Sequence, residues 1–334
     1  MLAVVKERPG PGFALKEVPV PEPPPGWVRL RVRAAGICGS DLPIFDGTRP
    51  VPVPLIPGHE VAGEIDRPGE GVNGWTVGDR VAAGMVVACG DCRACQTGLP
   101  ELCDHLIELG VHANGGFAEC MVAPARNLHR IPSSVSFEEA TAADPMASAF
   151  HGLQAAAIHD DDVVAVFGVG AIGLYAVQVA RWQGAHRVIA VGRRDDALAL
   201  AREVGADATV DLRGQDPIAV VRDLPGGGAT VAVEATGSPA VLPLVLEAAA
   251  KAGRVVIMGV FQSPAQVSPE LIVRKELRVF GRLCYTWDEY DHCLGLLASR
   301  RIRALISHVF PLSEMSKALD LIHQRKTIKV VVRP

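Results

Sequence analysis

Residues 163–173 have the sequence VVAVFGVGAIG, in which five apolar residues lead directly into glycines spaced as GxGxxG. The apolar run predicts a buried strand, and the glycines predict a tight turn that opens a helix. Such a turn lets backbone N–H groups at the helix N-terminus approach a pyrophosphate. The motif therefore predicts a dinucleotide site that includes Gly168, Gly170, Ala171, Ile172 and Gly173. A glycine-rich turn without a ligand is the alternative.

Apolar strands alternate with helical patterns on the C-terminal side of this motif. Helices are predicted over residues 174–183, 196–204 and 240–252, and strands over residues 188–191, 229–235 and 254–260. Strand, helix and strand at this rhythm are typical of βαβ units around a parallel sheet. The fold class predicted for this half is a doubly wound α/β domain.

The N-terminal part has a different pattern. Proline and glycine are frequent over the first 145 residues, with alternating stretches such as VRLRV at 28–32 and turn clusters such as RPGEG at 67–71. This pattern predicts a β-rich domain with long loops. The closing segments, 288–300 and 328–332, are predicted to return to that first domain.

Composition limits the choice of function. The chain has 334 residues, 49% of them hydrophobic and 21% charged, which is enough for two globular domains. A formal net charge of −4 gives no reason to expect a nucleic acid as the main partner.

Lys6, Glu7 and Arg8 interrupt any export signal, so a cytoplasmic location is expected. The uncharged run 163–180 could imitate a membrane span, but its glycines and Gln178 favour a strand followed by a helix.

Half of the eight cysteines cluster in one stretch of the sequence. Cys89, Cys92, Cys95 and Cys103 have the spacing C-x2-C-x2-C-x7-C. Four thiolates in a glycine-containing loop are typical of a structural zinc site with tetrahedral geometry. An iron–sulfur cluster is the alternative, although the fourth cysteine lacks the Cys-Pro ending of ferredoxin motifs.

A second group of metal-ligand types is dispersed along the chain. It comprises Cys38, His59, Glu60 and Asp144. Together they have the ligand types of a catalytic zinc, but their spacing does not bring them together. Taken singly, Cys38 could be a small buried residue, His59 a turn residue and Asp144 a loop cap.

Five motifs together resemble one known family. In chain order they are GICGSD at 36–41, PGHE at 57–60, the four-cysteine stretch, GVGAIG at 168–173 and VEATGSP at 233–239. Their order resembles the zinc-dependent medium-chain alcohol dehydrogenase superfamily, and most closely its polyol and threonine dehydrogenase branch. The resemblance implies a GroES-like catalytic domain at residues 1–147 with a structural zinc lobe at about 88–104. It also implies a Rossmann coenzyme domain at 148–286 and a return to the catalytic domain at 287–334.

The resemblance also implies roles for individual residues. Cys38 and His59 would bind the catalytic zinc, Glu60 would be a direct or intermittent ligand, and Asp144 would occupy the remaining ligand position. Two zinc ions per subunit are therefore expected. Ser40 would accept the alcohol proton, although a helix N-cap is the alternative role for that serine. Many relatives have a histidine five residues after the cysteine, where this chain has Pro43.

The implied reaction is the interconversion of a secondary alcohol and a ketone by hydride transfer, with a polyol, cyclitol or amino alcohol as substrate. A zinc-free quinone or enoyl reductase of the same superfamily is the alternative enzyme. A protein that only binds a nucleotide and zinc is the non-enzymatic alternative. The edge strand expected at residues 277–281 would pair subunits into a homodimer or homotetramer.

The residues after the second Rossmann strand favour NADP over NAD. An acid normally accepts the ribose hydroxyls there, whereas this chain has Gly192 followed by Arg193 and Arg194. Guanidinium groups suit a 2′-phosphate, but both arginines could instead pair with Asp195 or Asp196. Further cofactor contacts are expected at Thr236, Gly237, Val260 and Lys329.

Overall fold

The computed structural model describes residues 1–223 and 227–334, and these form two compact units. Unit 1 comprises Met1–Asp144, Thr286–Arg300 and Ala304–Pro334. Unit 2 comprises Pro145–Tyr285 and Arg301–Arg303. The chain therefore leaves unit 1 within a helix, builds unit 2, and returns.

Unit 1 is built mainly from strands. Its N-terminal strands are β1 (Leu2–Val5), β2 (Ala14–Glu17), β3 (Trp27–Ile37), β4 (Glu60–Pro68), β5 (Arg80–Ala83), β6 (Val86–Val87), β7 (Ile107–Glu108), β8 (Cys120–Pro124) and β9 (Leu128–Arg130). Its short helices there are α1 (Leu42–Phe45), α2 (Arg93–Gln96) and α3 (Phe137–Thr141), with 3₁₀ turns at Pro100–Leu102 and Ala125–Asn127. Helix α4 (Ala143–Ala156) contains the boundary between the units.

Unit 2 alternates strands and helices. Its strands are β10 (Val163–Phe167), β11 (Arg187–Gly192), β12 (Ala208–Asp211), β13 (Ala229–Glu234), β14 (Ala249–Ile257) and β15 (Arg278–Gly281). Its helices are α5 (Ala171–Trp182), α6 (Asp195–Glu203), α7 (Pro217–Arg222), α8 (Leu242–Ala248) and α9 (Pro269–Lys275). The C-terminal return adds α10 (Trp287–Ala298), β16 (His308–Pro311), a 3₁₀ turn at Leu312–Glu314, α11 (Met315–His323) and β17 (Val330–Arg333) to unit 1.

The unit 2 sheet has the order β12-β11-β10-β13-β14-β15, and its pairs are parallel. Two βαβ halves meet where the order reverses, between β10 and β13, and ligands bind at the carboxyl ends of strands at such a point. The buried strand β10 and the helix α5 account for the apolar run 163–180. The doubly wound α/β fold predicted from the sequence is confirmed.

Within the described residues, none of the helices has the length and apolar character needed to cross a bilayer.

The mixed sheet of unit 1 places distant parts of the chain side by side. Its order is β16-β17-β3-β4-β5-β9, and β8 also pairs with β3. The final strand β17 lies antiparallel to β3, with Val330 opposite Ile37. Residues that directly precede β17 therefore lie beside the end of β3.

One predicted helix is too long. The alanine-rich stretch 240–252 was expected to be helical throughout, but α8 ends at Ala248 and β14 begins at Ala249. Ala249 lies opposite Ala229 on β13, and Ala252 adopts a positive φ of 59° where the register shifts. Pairing with the buried strand β13 overrides the helix propensity of these alanines.

Candidate active site

Two neighbouring strands bring a thiol, an imidazole and a carboxylate together in unit 1. Cys38 follows the last residue of β3, His59 precedes β4, and Glu60 is the first residue of β4. Antiparallel pairing places Gly36 opposite Glu60, so the end of β3 lies beside the start of β4. One ligand atom from each of Cys38, His59 and Glu60 lies within 4.8 Å of the others.

Three buried polar atoms at this cluster have no hydrogen-bond partner among the described residues. They are Asp41 Oδ1, His59 Nδ1 and Glu60 Oε2. Asp41 Oδ1 and His59 Nδ1 face each other at 3.4 Å, which leaves Glu60 Oε2 without a facing group. Because buried polar atoms are normally paired, this carboxylate oxygen in a cluster of metal-ligand types fits a bound metal. The donor set of sulfur, nitrogen and carboxylate oxygen suits zinc.

Asp41 contacts both Cys38 and His59. Its role was not predicted from the sequence, although it ends the GICGSD motif. Its Oδ2 accepts a 2.9 Å hydrogen bond from the Cys38 backbone N–H, and its Oδ1 lies 3.4 Å from His59 Nδ1. Burial opposes a charged ring, but Asp41 and Cys38 together raise the pKa of His59 well above its ordinary value. A carboxylate beside one ring nitrogen orients the imidazole so that its other nitrogen can bind a metal.

Lys329 forms a buried ion pair with Glu60. It directly precedes β17, and its Nζ donates to the Ile37 carbonyl at 3.2 Å and to Glu60 Oε1. The Lys329 and Glu60 side chains are 2% and 0% exposed. Burial opposes the charge, but Glu60 and Cys38 raise the pKa of Lys329, so the ammonium remains charged. Lys329, which was expected to contact the cofactor, therefore lies beside Glu60 in the metal-ligand cluster of unit 1.

Asp144 is buried but is not among the three clustered ligands. It lies in the first turn of α4 rather than in a loop, so the loop-cap interpretation was wrong. Its carboxylate contributes to the raised pKa of Lys329 and, after burial, to that of Tyr290. Asp144 thus lies within electrostatic range of the ion pair.

Ser40 lies beside this cluster in the chain and is half-buried. The N-cap of α1 is Asp41, so Ser40 is not the N-cap that the alternative interpretation required. Pro43 is in the first turn of α1, where its missing N–H costs no helical hydrogen bond.

The four clustered cysteines converge around one point. Four of their Sγ–Sγ separations are 3.4, 3.5, 3.9 and 3.9 Å, too long for a disulfide. Four sulfurs bound at ~2.3 Å to one tetrahedral ion lie ~3.8 Å apart. The observed separations fit a single ion, because an iron–sulfur cluster places several atoms between its cysteines and needs more room.

Backbone N–H groups in the lobe point at these sulfurs. Cys103 Sγ accepts from the N–H groups of Cys89 and His105 at 3.2 and 3.3 Å. Hydrogen bonds from the backbone of Cys95 and Asp104 lower the pKa of Cys92 to about 6. Such donors stabilise thiolates, which is the protonation state that binds zinc.

The glycine motif of unit 2 has the geometry expected for a dinucleotide turn. Gly168 has a φ of 113°, and a Cβ on Gly173 would lie 1.9 Å from the Gly168 carbonyl oxygen. A Cβ on Gly170, the N-cap of α5, would meet nothing within 4 Å. Ala171 and Ile172 open the helix, and the space before Gly170 is open to a ligand.

Further predicted cofactor residues lie beside this turn, at the carboxyl ends of β13 and β14. Glu234, the last residue of β13, accepts hydrogen bonds from the Thr236 and Gly237 N–H groups at 2.8 and 3.0 Å. A Cβ on Gly237 would lie 2.5 Å from the Val260 carbonyl oxygen, and Val260 itself is 68% exposed. Thr236, Gly237 and Val260 are thus brought together at the switch point of the sheet.

At the end of β11, Gly192 is buried against the glycine turn. A Cβ at Gly192 would lie 2.3 Å from Val169 Cγ2, so a side chain there would have to displace Val169. Arg193 is exposed, while Arg194 is half-buried with its Nε 3.1 Å from Asp196 Oδ1. The pairing of Arg194 with Asp196 is the one that the alternative interpretation expected.

Two family models match the chain. The alcohol dehydrogenase GroES-like domain matches residues 24–133, and the zinc-binding dehydrogenase model matches residues 171–299. The predicted combination of a GroES-like domain with a Rossmann domain is thereby confirmed. The chain belongs to the zinc-dependent medium-chain alcohol dehydrogenase superfamily, in its polyol and threonine dehydrogenase branch.

Individual relatives agree with this assignment. A sorbitol dehydrogenase of Halalkalibacterium halodurans is 36% identical, with 100% of this chain and 99% of the relative covered. A zinc-binding dehydrogenase from Sinorhizobium meliloti, solved bound to NADP, is 33% identical with a TM-score of 0.92 and covers 100% and 99% of the two chains. An alcohol dehydrogenase from Escherichia coli CFT073, solved with NADH, is 34% identical with a TM-score of 0.93 and the same coverage.

These findings define the class of the protein. It is an alcohol dehydrogenase that uses zinc and a nicotinamide cofactor, and its substrate is a small molecule. A protein that only binds a nucleotide and zinc is thereby set aside. The two solved relatives carry different nicotinamide cofactors, so they do not decide between NAD and NADP.

Proposed function

We propose that the protein interconverts a secondary alcohol (a polyol, cyclitol or amino alcohol) and the corresponding ketone with NADP(H). The observation that supports this most directly is the cluster of half-buried Cys38 with buried His59 and Glu60, in which Glu60 Oε2 has no hydrogen-bond partner. A zinc-free quinone or enoyl reductase would have no use for this donor set.

The catalytic zinc would be held by Cys38 and His59, with Glu60 as a direct or intermittent ligand and Asp144 as the remaining ligand. Bound there, zinc supplies Lewis-acid polarisation of an alcohol oxygen, and the nicotinamide supplies the hydride acceptor. Asp41 holds the first two ligands in place through the Cys38 N–H and the His59 ring. Lys329 holds one Glu60 oxygen and leaves the other unpaired, which is the arrangement an intermittent ligand needs.

Ser40 would accept the hydroxyl proton of the substrate. Since Pro43 cannot pass a proton onward, the proton must reach solvent through water, the cofactor ribose or another side chain. The reaction can be tested by screening secondary alcohols and polyols with each nicotinamide cofactor. The readout is the absorbance of the reduced cofactor. Activity with enones or quinones but with no alcohol or ketone would contradict the proposal.

We further propose a second, structural zinc at Cys89, Cys92, Cys95 and Cys103. Cys92→Ser is expected to remove one of the two zinc ions per chain and to lower Tm by roughly 5 °C or more, because a closed metal site stabilises its loop. Metal analysis and thermal unfolding measure both effects. Cys120→Ser is the matched control, since Cys120 is a half-buried thiol of β8 outside both clusters. A wild-type protein that contains one zinc ion per chain would contradict the proposal of two zinc sites.

NADP preference is proposed from Gly192, Arg193 and Arg194. Gly192 lacks the acid that would repel a 2′-phosphate, and Arg193 is exposed directly after the end of β11. Cofactor contacts at Gly168, Gly170, Ala171, Ile172, Gly173, Thr236, Gly237 and Val260 belong to the same proposal.

Arg193→Ala is expected to remove most of a preference for NADP of at least about tenfold in kcat/KM. The 2′-phosphate of NADP would lose the hydrogen bonds that the guanidinium donates. Activity with NAD, which has no 2′-phosphate, should be almost unchanged. Arg222→Ala is a matched control, because Arg222 is a half-exposed arginine of α7 paired with Glu247 at 3.0 Å. A wild type that prefers NAD would contradict the proposed preference.

The protein is proposed to be a homodimer or homotetramer that pairs through β15. This strand is at the edge of the unit 2 sheet, and Val279 on it and Val273 on α9 are 39% and 73% exposed. An unpaired edge strand is a template for pairing with another chain. Light scattering should give a mass of at least twice 35.3 kDa.

Val279→Lys is expected to weaken the proposed dimer, because a charge at a strand edge disfavours pairing. Val267→Lys is the control, since Val267 is similarly exposed at 37% but lies outside the strands. A wild-type monomer at micromolar concentration would contradict the assembly.

A further inference from the structure

Arg213 forms a charged cluster at the carboxyl edge of the unit 2 sheet. Its Nε lies 2.9 and 3.0 Å from the two oxygens of Asp211, the last residue of β12. Its backbone N–H also donates to Asp211 Oδ1 at 2.9 Å, and its terminal nitrogen pairs with Asp195 at the start of α6. Both oxygens of Asp211 are thus engaged by one arginine.

Asp211 stands beside the position that lacks an acid. In the parallel pairing of β11 and β12, Gly192 is the register partner of Asp211. Register partners on neighbouring strands lie on the same face of a sheet. Asp211 is therefore placed on the side where an acid at position 192 would accept the ribose hydroxyls of NAD.

The charge of Asp211 bears on which cofactor binds. Arg213, with a smaller contribution from Arg193, lowers the pKa of Asp211 to about 2, so this carboxylate is ionised throughout the physiological range. Its side chain is 31% exposed and remains accessible to a ligand. An unmasked carboxylate here would accept ribose hydroxyls and repel a 2′-phosphate, the effect of the acid found in NAD-binding folds.

We propose that Arg213 is a positioning residue that sets cofactor specificity by masking Asp211. This inference rests on the proposed binding of NADP(H) at Gly192 and Arg193, and assigns to Arg213 the neutralisation of Asp211, the register partner of Gly192. Without Arg213, Asp211 would favour NAD and disfavour NADP.

A double-mutant cycle tests the masking role through the ratio of kcat/KM for NADP to that for NAD. Arg213→Ala is expected to lower this ratio about fivefold, a modest factor because exposed charges are screened by solvent. Asp211→Asn should leave the ratio unchanged or raise it. In the double variant the ratio should return close to that of Asp211→Asn, since no carboxylate remains to be masked.

Dissociation constants for NADPH and NADH should shift in the same directions, and Arg222→Ala should shift neither. Thermal unfolding of each variant separates loss of fold from loss of specificity. An unchanged ratio in Arg213→Ala, or equal losses from Arg213→Ala with and without Asp211→Asn, would overturn the masking role. A wild type that prefers NAD would contradict the proposed function but not this inference, which concerns the direction of change between variants.

Discussion

His59→Ala is expected to lower kcat/KM by at least about a thousandfold, ~4 kcal/mol, while the fold is retained. The substitution removes one of the three clustered side chains that we propose hold the catalytic zinc, so that metal should be lost. Turnover with the best alcohol from the screen, metal content and circular dichroism measure the effect. The expected variant is folded, holds one zinc ion instead of two, and is nearly inactive.

His129→Ala provides the comparison, because His129 is also buried in unit 1 but outside the ligand cluster. Its Nδ1 lies 2.9 Å from Asp291 Oδ1, and its ring stacks on Tyr290 at 4.3 Å. This variant should lose stability and keep both zinc ions. If His59→Ala retained both zinc ions and most of its turnover, the assignment of the catalytic metal to Cys38 and His59 would be wrong.

Lys329→Met is expected to reduce the free energy of unfolding by about 3 kcal/mol or more. In the metal-free protein the substitution leaves the Glu60 carboxylate buried without its counter-charge, and a buried uncompensated charge is costly. Urea unfolding of the variant and of the wild type measures the loss. Lys317→Met is the surface control, because its pair with Glu314 is exposed and should be worth less than about 0.5 kcal/mol.

A second substitution separates loss of charge balance from loss of packing. In Lys329→Met/Glu60→Gln neither partner is charged, so much of the lost stability should return. If the double variant were as unstable as the sum of the two single variants, Lys329 would contribute through packing rather than through its charge.

The fold of unit 2 was predictable because its signals are local. A five-residue apolar strand, a glycine turn and a helix follow one another in residues 163–173, and each element restricts the next. The helix predicted over residues 240–252 was too long because strand pairing overrides local helix preference there. Ala249 joins β14 although an alanine run favours a helix.

The ligand types of the active site were also predictable, but their assembly was not. Cys38 and His59 are joined only by the pairing of β3 with β4, and the family resemblance substituted for that information. Asp41 could not be predicted from the GICGSD motif that it ends, because its function depends on which backbone N–H and which ring lie beside it. The Lys329 to Ile37 contact spans 292 residues, which no local pattern could indicate.

Specificity at the adenosine end shows a further limit of sequence analysis. Counting residues from the glycine motif predicted Gly192 at the end of the second strand, where β11 does end, but Asp211 becomes its neighbour only through the parallel register of β11 and β12. Arg213, which we propose masks Asp211, follows in the turn after β12. The sequence therefore indicated an absent acid and gave no sign of a substitute one.

Gly36, at the end of the β3–β4 pairing and opposite Glu60, restricts how this enzyme can be changed by directed evolution. A methyl group added at Gly36 would lie 2.0 Å from Glu60 Oε2, so even alanine there must move the carboxylate. Libraries that vary position 36 alone should consist almost entirely of inactive variants. Libraries that vary positions 36 and 60 together can recover function through a shorter side chain at position 60. The two positions should therefore be varied together.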